Sequence, residues 1–362
     1  MSQQQSSSHK NICVITNCDS LLGYALAYRF LEGMRSREDP EIADHKLRIL
    51  CRNKSGYELS RLEQMGAEVV EVDYKDEDKM RHAMKNVFSV LLIPENSENR
   101  LKEAHCLIKM AKNEDVEHFG LMSFVGVDRI DKAKSDDPQN QSHYRNFKEY
   151  REIEECVKKA FSGNKHCICR HSIFNQLYYF LAPVMEGKNM MELPVKEDAK
   201  WNTVDMIDVV EAVYCLAKQA RKRQQNNNTH KQLYEFTGQH NMASKEMCKE
   251  IGEGLGNRDM KYRRISSDEM KQMLLSMRDD HRFKERPKEH GDFKKGKDGF
   301  WSMPLGKFLN NHNIETMLEY WCLANENQQD YHSNDLQNIL NRQPRKLKEY
   351  FEINRDHFKR FK

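Results

Sequence analysis

Long apolar runs, paired cysteines and a surplus of one charge are all missing from this sequence, and each absence removes a class of function. No run approaches the ~20 apolar residues that a membrane-spanning helix needs. The Ser/Gln-rich first ten residues lack the apolar centre of a secretory signal. Residues 1–10 therefore read as a disordered leader, and the chain as soluble and cytoplasmic, with the nucleus open as a second location. The 59 basic and 56 acidic side chains leave a net charge of only +3, too little to draw the chain to nucleic acid. The basic run Lys218–Lys231 also lacks the interleaved aromatics that stack on bases. The ten cysteines form neither a CxxC pair nor a Cys/His cluster at zinc spacing, so no disulfide framework and no metal site is expected. They read as small buried apolar residues, Cys167 and Cys169 sharing one face of a strand.

What is present is an alternation of apolar runs and helical patterns. Asn11–Ile15 reads as a buried strand. Leu22, Ala25, Leu26 and Phe30 at helical spacing predict a helix over Leu21–Glu32, capped by Asp19 or Ser20. Strands at Leu47–Cys51, Ala67–Val72, Val87–Ile93 and His118–Val125 follow, separated by helices at Ser60–Met65, Lys79–Asn86 and Leu101–Lys112. After a polar loop, Asp128–His143, a helix over Phe147–Phe161 leads to a sixth strand, Lys165–Arg170. Units of this length have one low-strain solution, a parallel sheet with right-handed crossovers and helices on both faces. The fold class is α/β, a Rossmann-type doubly wound parallel sheet over residues 11–170 with a smaller, mostly helical α/β lobe over 171–362.

In that second lobe the pattern predicts a helix over Val204–Arg223, a solvated turn at Gln224–Lys231, a strand at Leu233–Thr237 and a helix over Ser244–Gly256. The tail, Ile314–Phe358, is expected to be mostly helical. Residues 204–237 are placed to pack back on the sheet. Arg278–Gly299, dense in both charges, reads as a mobile insertion or a partner-binding arm.

A doubly wound sheet binds a pyrophosphate where its first strand feeds its first helix, and glycines there allow the tight turn and close backbone approach. This chain has Thr16-Asn17-Cys18-Asp19-Ser20-Leu21-Leu22-Gly23 at that corner, so of the usual glycines only Gly23 survives. Asn17 is the non-glycine best suited to a positive φ, and Ser20 is small enough to permit approach. Asp19 repels a diphosphate unless its carboxylate points away. The corner thus leaves open a dinucleotide held normally, weakly or not at all. At the end of the second strand Arg52 and Lys54 offer two cations where a 2′-phosphate sits, which favours NADP over NAD.

The order and spacing of several segments resemble the NmrA-like family of atypical short-chain dehydrogenase/reductases, from Asn11 to about Gly256. Leu47–Lys54 resembles that family's second strand and basic turn. Gly66–Asp73 is similar to its third strand, whose terminal Asp lies near the adenine, and Val90–Pro94 to the fourth strand and the loop that passes the nicotinamide. Gly120–Asp128 resembles the fifth strand, with Ser123 where such reductases carry a serine. Glu152–Glu155 and Cys169-Arg170 resemble the helix and the strand ending in Arg-Pro, with His171 replacing the proline. The resemblance implies a dinucleotide site built from Thr16, Asn17, Ser20, Leu21, Leu22, Gly23, Arg52, Lys54, Asp73, Ile93 and Pro94.

Reductases of this superfamily use a tyrosine as proton donor and a lysine four residues on, which lowers the phenol's pKa and holds the ribose. Tyr144 and Lys148 have that spacing, with Ser123 available for a substrate carbonyl. The register conflicts: the atypical members keep their lysine four residues before the glutamate that Glu154 matches, which is Tyr150 here. His143, His166 and His171 are expected near the groove rim, and Tyr178, Tyr179 and Phe180 in the cleft wall or core. Two readings lead from the resemblance. One is a dinucleotide-binding regulator or redox sensor acting through a protein partner, as do family regulators of transcription factors. The other is an NADP-dependent reductase of a small carbonyl, quinone or unsaturated compound. A ligand-free scaffold is the third.

Overall fold

The computed structural model describes residues 10–36, 39–56, 58–132, 144–219, 231–284 and 305–359. The leader up to residue 9, most of the loop 128–143 with His143, the turn 224–230 and the charged stretch beyond residue 284 lie outside the described residues.

Strands β1 (Ile12–Ile15), β2 (Lys46–Cys51), β3 (Glu68–Glu71), β4 (Val87–Leu92), β5 (His118–Phe124) and β6 (His166–His171) form a parallel sheet in the order β6-β5-β4-β1-β2-β3. Leu233–Phe236 adds a seventh parallel strand beside β6. These strands are apolar on both faces because helices cover both. On one face α1 (Leu21–Ser36) lies against the helix Met206–Lys218, with α2 (Pro40–Ala43) and α3 (Leu59–Gln64) nearby. On the other lie α4 (Glu77–Ala83), α5 (Arg100–Asn113) and α6 (Arg145–Ala160). The strand order reverses between β1 and β4, and the crevice at such a switch point is where this architecture binds ligands.

The smaller lobe packs helices over short strands, Met190–Leu193 running parallel to Lys261–Arg264 around a core that includes Trp201, Tyr320 and Phe351. Its helix Asn311–Asn325 reaches the sheet domain through one carboxylate. Glu319 accepts the Asn146 and Phe147 amides (3.0 and 2.9 Å) and Asn146 Nδ2 (2.8 Å), satisfying first-turn donors of α6 from another part of the chain. Among the described residues no helix is long and apolar enough to cross a membrane.

Among the elements that depart from the sequence reading, three do so for a visible reason. Helix α1 runs past Glu32 to Ser36, with Gly33 buried beneath Tyr214; a Cβ at Gly33 would lie 1.9 Å from the Tyr214 hydroxyl. The helix expected from Val204 starts at Met206, because Thr203–Val204 pairs with Ile173–Phe174 as a short strand and Asp205 caps the Ile207 amide (3.0 Å). Residues 278–284, read as the start of a mobile insertion, are helical. Ser266 and Glu269 cap the helix Ser267–Asp279, and Phe283 in the next turn is buried against Tyr179 and Phe180. One buried aromatic anchors a segment whose charge alone pointed to solvent.

Candidate functional site

The first β-to-α corner keeps the shape of a phosphate-binding turn with few of its glycines. Asn17 adopts φ 52°, the left-handed conformation that a glycine supplies elsewhere. Its Nδ2 donates to the Pro94 carbonyl (3.0 Å), while Thr16 Oγ1 takes the Ile93 amide (2.9 Å) and donates to the Ile93 carbonyl (3.0 Å). The corner is thereby bolted to the loop after β4. Ser20 Oγ donates to Asn17 O (2.7 Å) and accepts the Gly23 amide (3.2 Å). Gly23 is required by close approach: a Cβ there would stand 2.0 Å from the Asn17 carbonyl oxygen. The Leu21 and Leu22 amides open a 16-residue helix and have no acceptor a turn earlier to bond within it. Asp19 resolves its own conflict by turning away: its carboxylate accepts the Arg52 amide (3.1 Å), and burial raises its pKa.

Beside this corner the expected 2′-phosphate cation is already engaged. Arg52 Nε meets Glu95 at 3.0 Å and Nη2 meets Glu103 at 2.5 Å. Tyr74 donates to the other oxygen of Glu95 (2.8 Å). Burial pushes the Glu95 carboxyl up to about 7, against the opposing pull of Arg52. Lys54 is exposed, its backbone amide bound to Glu71 (3.1 Å), and Asp73 is exposed in the polar hollow that Arg52, Lys79 and Glu103 also line. The NADP preference expected from Arg52 and Lys54 therefore loses its principal charge to two carboxylates that no spacing rule pairs with it.

On the other side of Glu95 lies an apolar cleft with a volume of about 120 Å³. Ser20, Leu21, Leu22, Ile93 and Pro94 form its sheet-domain wall, so five of the expected dinucleotide residues line one space while Thr16, Asn17 and Gly23 build the corner behind it. Leu177, Phe180, Leu309 and Met317 face them from the smaller lobe; Tyr178 and Tyr179 are core residues. Two polar aromatics complete the site. His171 places Nδ1 2.9 Å from the Ser172 carbonyl, so that nitrogen carries the proton. Burial lowers its pKa to about 4, which keeps the ring neutral, and it stacks on Phe174 at 4.3 Å. Tyr150 lines the cleft with the Arg100 guanidinium 4.8 Å from its ring centre, and burial raises its pKa.

The expected catalytic trio is not assembled. Ser123 is wholly buried and donates to Glu154 (2.7 Å), which binds Arg170 through both oxygens (2.9 and 2.7 Å). The serine thus orients a buried ion pair, joining the two segments that carried the resemblance, and does not face a substrate. Tyr144 sends its hydroxyl to Cys322 Sγ (3.3 Å) in the smaller lobe, and burial raises its pKa further. Lys148 is exposed on α6. Tyr150, which stands four residues before Glu154 where the register places the family's lysine, lines the cleft. His166 also departs from expectation, binding the Phe161 carbonyl (2.6 Å) at the opposite end of the sheet. Sequence reasoning passed over Glu95 and Tyr74, whose only signal was a polar side chain directly after Pro94 and after Asp73.

The family model for the NmrA-like family matches residues 34–349. No curated protein matches the chain. Among solved structures, an NADPH-dependent quinone oxidoreductase from Escherichia coli in complex with NADPH is 16% identical, with a TM-score of 0.64 over 94% of this chain and 99% of that one. The triphenylmethane reductase of a Citrobacter species is 13% identical, with a TM-score of 0.65 over 96% and 99% of the two chains. NmrA, a negative transcriptional regulator in complex with NAD, is 10% identical, with a TM-score of 0.61 over 95% of each chain. At these identities the likeness shows the fold, and the neighbours themselves divide between reductases and a regulator.

Proposed function

Because this chain belongs to the NmrA-like family, we propose that it is a dinucleotide-binding regulator that acts through a protein partner, with weak or no turnover. One observation carries the reading: the corner that would hold a diphosphate keeps its shape, while Ser123 and Tyr144 are held in structural contacts and Lys148 is exposed on α6. The residues present fit the ligand at two points. The Leu21 and Leu22 amides offer a helix N-terminus to a diphosphate, and the cleft between Pro94 and Met317 suits a flat nicotinamide ring. A bound nicotinamide supplies hydride chemistry, but proton transfer needs a donor within about 3 Å of the reacting atom. Tyr144 is committed to Cys322 instead. Binding without efficient turnover leaves the nucleotide free to report the redox state of its pool. The same reading keeps the protein in the cytoplasm, and in the nucleus where the partner is a transcription regulator.

Tyr150 supports a second reading, an oxidoreductase of a small carbonyl, quinone or unsaturated compound, since its ring lines the cleft above a fixed cation. Calorimetric titration with NAD, NADH, NADP and NADPH, followed by a nucleotide-oxidation assay over a quinone panel, separates the readings. Binding without turnover is the expected result. Turnover abolished by Tyr150→Phe supports the reductase, and no heat at millimolar nucleotide removes both.

A further inference from the structure

The sheet has a second cavity, of about 110 Å³, at the end opposite the dinucleotide cleft. It arises from a row of small residues where four central strands are usually filled by Val, Ile or Leu. Cys13 of β1 pairs with Ser89 of β4, and Gly120 of β5 pairs with Cys167 of β6, all on the face covered by α1 and the helix Met206–Lys218. Cys13, Ser89, Gly120 and Cys167 keep the middle of this floor low between the larger Ile15, Leu91 and His118, and Phe30, Val213 and Leu216 line the space from the covering helices. Ser89 and Gly120 consequently stay partly accessible inside the sheet, while Val90 and Leu121 on the opposite face are sealed.

We propose that this cavity is a second ligand site, separate from the dinucleotide cleft, for a neutral single-ring aromatic molecule with at most one polar group. Size sets the first limit: at about 110 Å³ this space is smaller than the roughly 150 Å³ apolar cavity that encloses benzene, so a single ring is the largest ligand it takes, with one edge left at the mouth. The lining favours an aromatic over an aliphatic ring. Phe88 stands between the His45 and His118 rings at 5.2 and 5.0 Å, tilted and edge-on, an arrangement that extends onto another ring edge. The sulfurs of Cys13, Cys167 and Cys169 on the floor make favourable contacts with ring edges. Charge is disfavoured at the floor: Glu41, Lys165 and Lys218 also line the space, the last bound to Asp39 at 2.9 Å, but an ion held against the floor meets thiols, imidazoles and phenyl rings, which return little of its lost hydration. His45 and His118 line the same space beside Phe88, so one hydroxyl on the ring would meet a polar edge there.

The test is a titration of the full chain with phenol, followed by the methyl NMR signals of Ile42, Val213 and Leu216 at this cavity and of Leu177 and Met317 at the cleft. Saturable shifts and ring-to-methyl contacts at the first group, with cyclohexanol of similar size binding more weakly, are expected. Gly120→Val and Ser89→Leu fill the floor; the new Cβ at Gly120 meets the mobile end of Leu91 at 2.9 Å, which can turn into the cavity. Each filled variant, its folding checked by thermal melting, is expected to weaken phenol binding about tenfold or more and to leave nucleotide binding unchanged. Shifts confined to the cleft methyls, no saturation, or affinity unmoved in a folded filled variant would each overturn the proposal. The wild-type methyl map decides by itself should both variants fail to fold.

Discussion

Arg52 and Glu95 meet at 3.0 Å, closing a bridge between the end of β2 and the loop after β4, beside the groove where the proposed dinucleotide's ribose would lie. The bridge neutralises the one cation best placed for a 2′-phosphate. NADP and NAD are therefore expected to bind within about threefold of each other in the native chain, a gap below ~1 kcal/mol. The double variant Glu95→Gln, Glu103→Gln frees the guanidinium, and a charge-assisted contact of about 1.5–3 kcal/mol should then favour NADP by tenfold or more. Calorimetry on both nucleotides checks this; an unchanged ratio would show that Arg52 does not face the ribose.

The same carboxyl makes stability depend on pH. Glu95 titrates at about 7 in the folded chain, above its ordinary 4.5, because burial disfavours its charge more than Arg52 favours it. Between those values the folded state keeps a proton that the unfolded state has released. The contribution is complete below about pH 4.5, declines as pH rises through 7 and is flat beyond. Glu95→Gln removes it, so the wild-type minus variant unfolding free energy, from urea titrations at pH 4.5 to 8, should fall as pH rises. A difference constant across that range contradicts the assignment.

Ser123→Ala separates a structural serine from a catalytic one. The hydroxyl holds Glu154 at 2.7 Å, so its loss should cost about 1–3 kcal/mol of stability and leave nucleotide affinity unchanged. Glu154→Ala removes the two-point partner of the buried Arg170, which keeps Asp128 at 3.0 Å and Glu235 at 3.4 Å, and should cost about 1–3 kcal/mol. Loss of nucleotide binding in a stably folded Ser123→Ala chain would return the serine to the ligand site.

Tyr144 and Tyr150 make an opposed pair. Tyr144→Phe removes a hydroxyl that faces Cys322, so ligand titrations should be indistinguishable from wild type. Tyr150→Phe alters the cleft and should change nucleotide or substrate affinity at unchanged melting temperature. The reverse pattern would restore the Tyr144 and Lys148 reading.

Gly23→Ala forces a Cβ to 2.0 Å from a backbone oxygen that cannot move without opening the corner. Destabilisation of about 1–3 kcal/mol together with loss of nucleotide binding is expected, read by denaturation and calorimetry on the same sample. Retained affinity would mean that the corner is not the diphosphate site.

The order of strands and helices was legible from Asn11 to Arg170, short of the helix Pro40–Ala43, because each apolar run and each helical stripe is a local pattern, and the parallel sheet follows from their alternation; the short strands and helices of 173–204 carry no such pattern. The corner was legible too: Asn17 takes the positive φ that its short amide side chain tolerates. The active constellation was not. Tyr144 and Lys148 satisfied a spacing rule, yet that rule says nothing about which side of α6 meets the cleft; the register against Glu154 put Lys148 in conflict, but it did not mark Tyr150 as the residue that lines the cleft.

The sequence by itself determined the doubly wound sheet, its first turn and the surviving Gly23, since these depend on periodicity and on backbone sterics within a few residues. Tertiary structure alone decided that Arg52 is spent on Glu95 and Glu103, that Ser123 serves Glu154 and Arg170, and that small residues on four strands coincide to open a cavity. Those outcomes depend on side chains from separate elements arriving at one place, and a charge or a gap acquires its meaning only from what packs beside it.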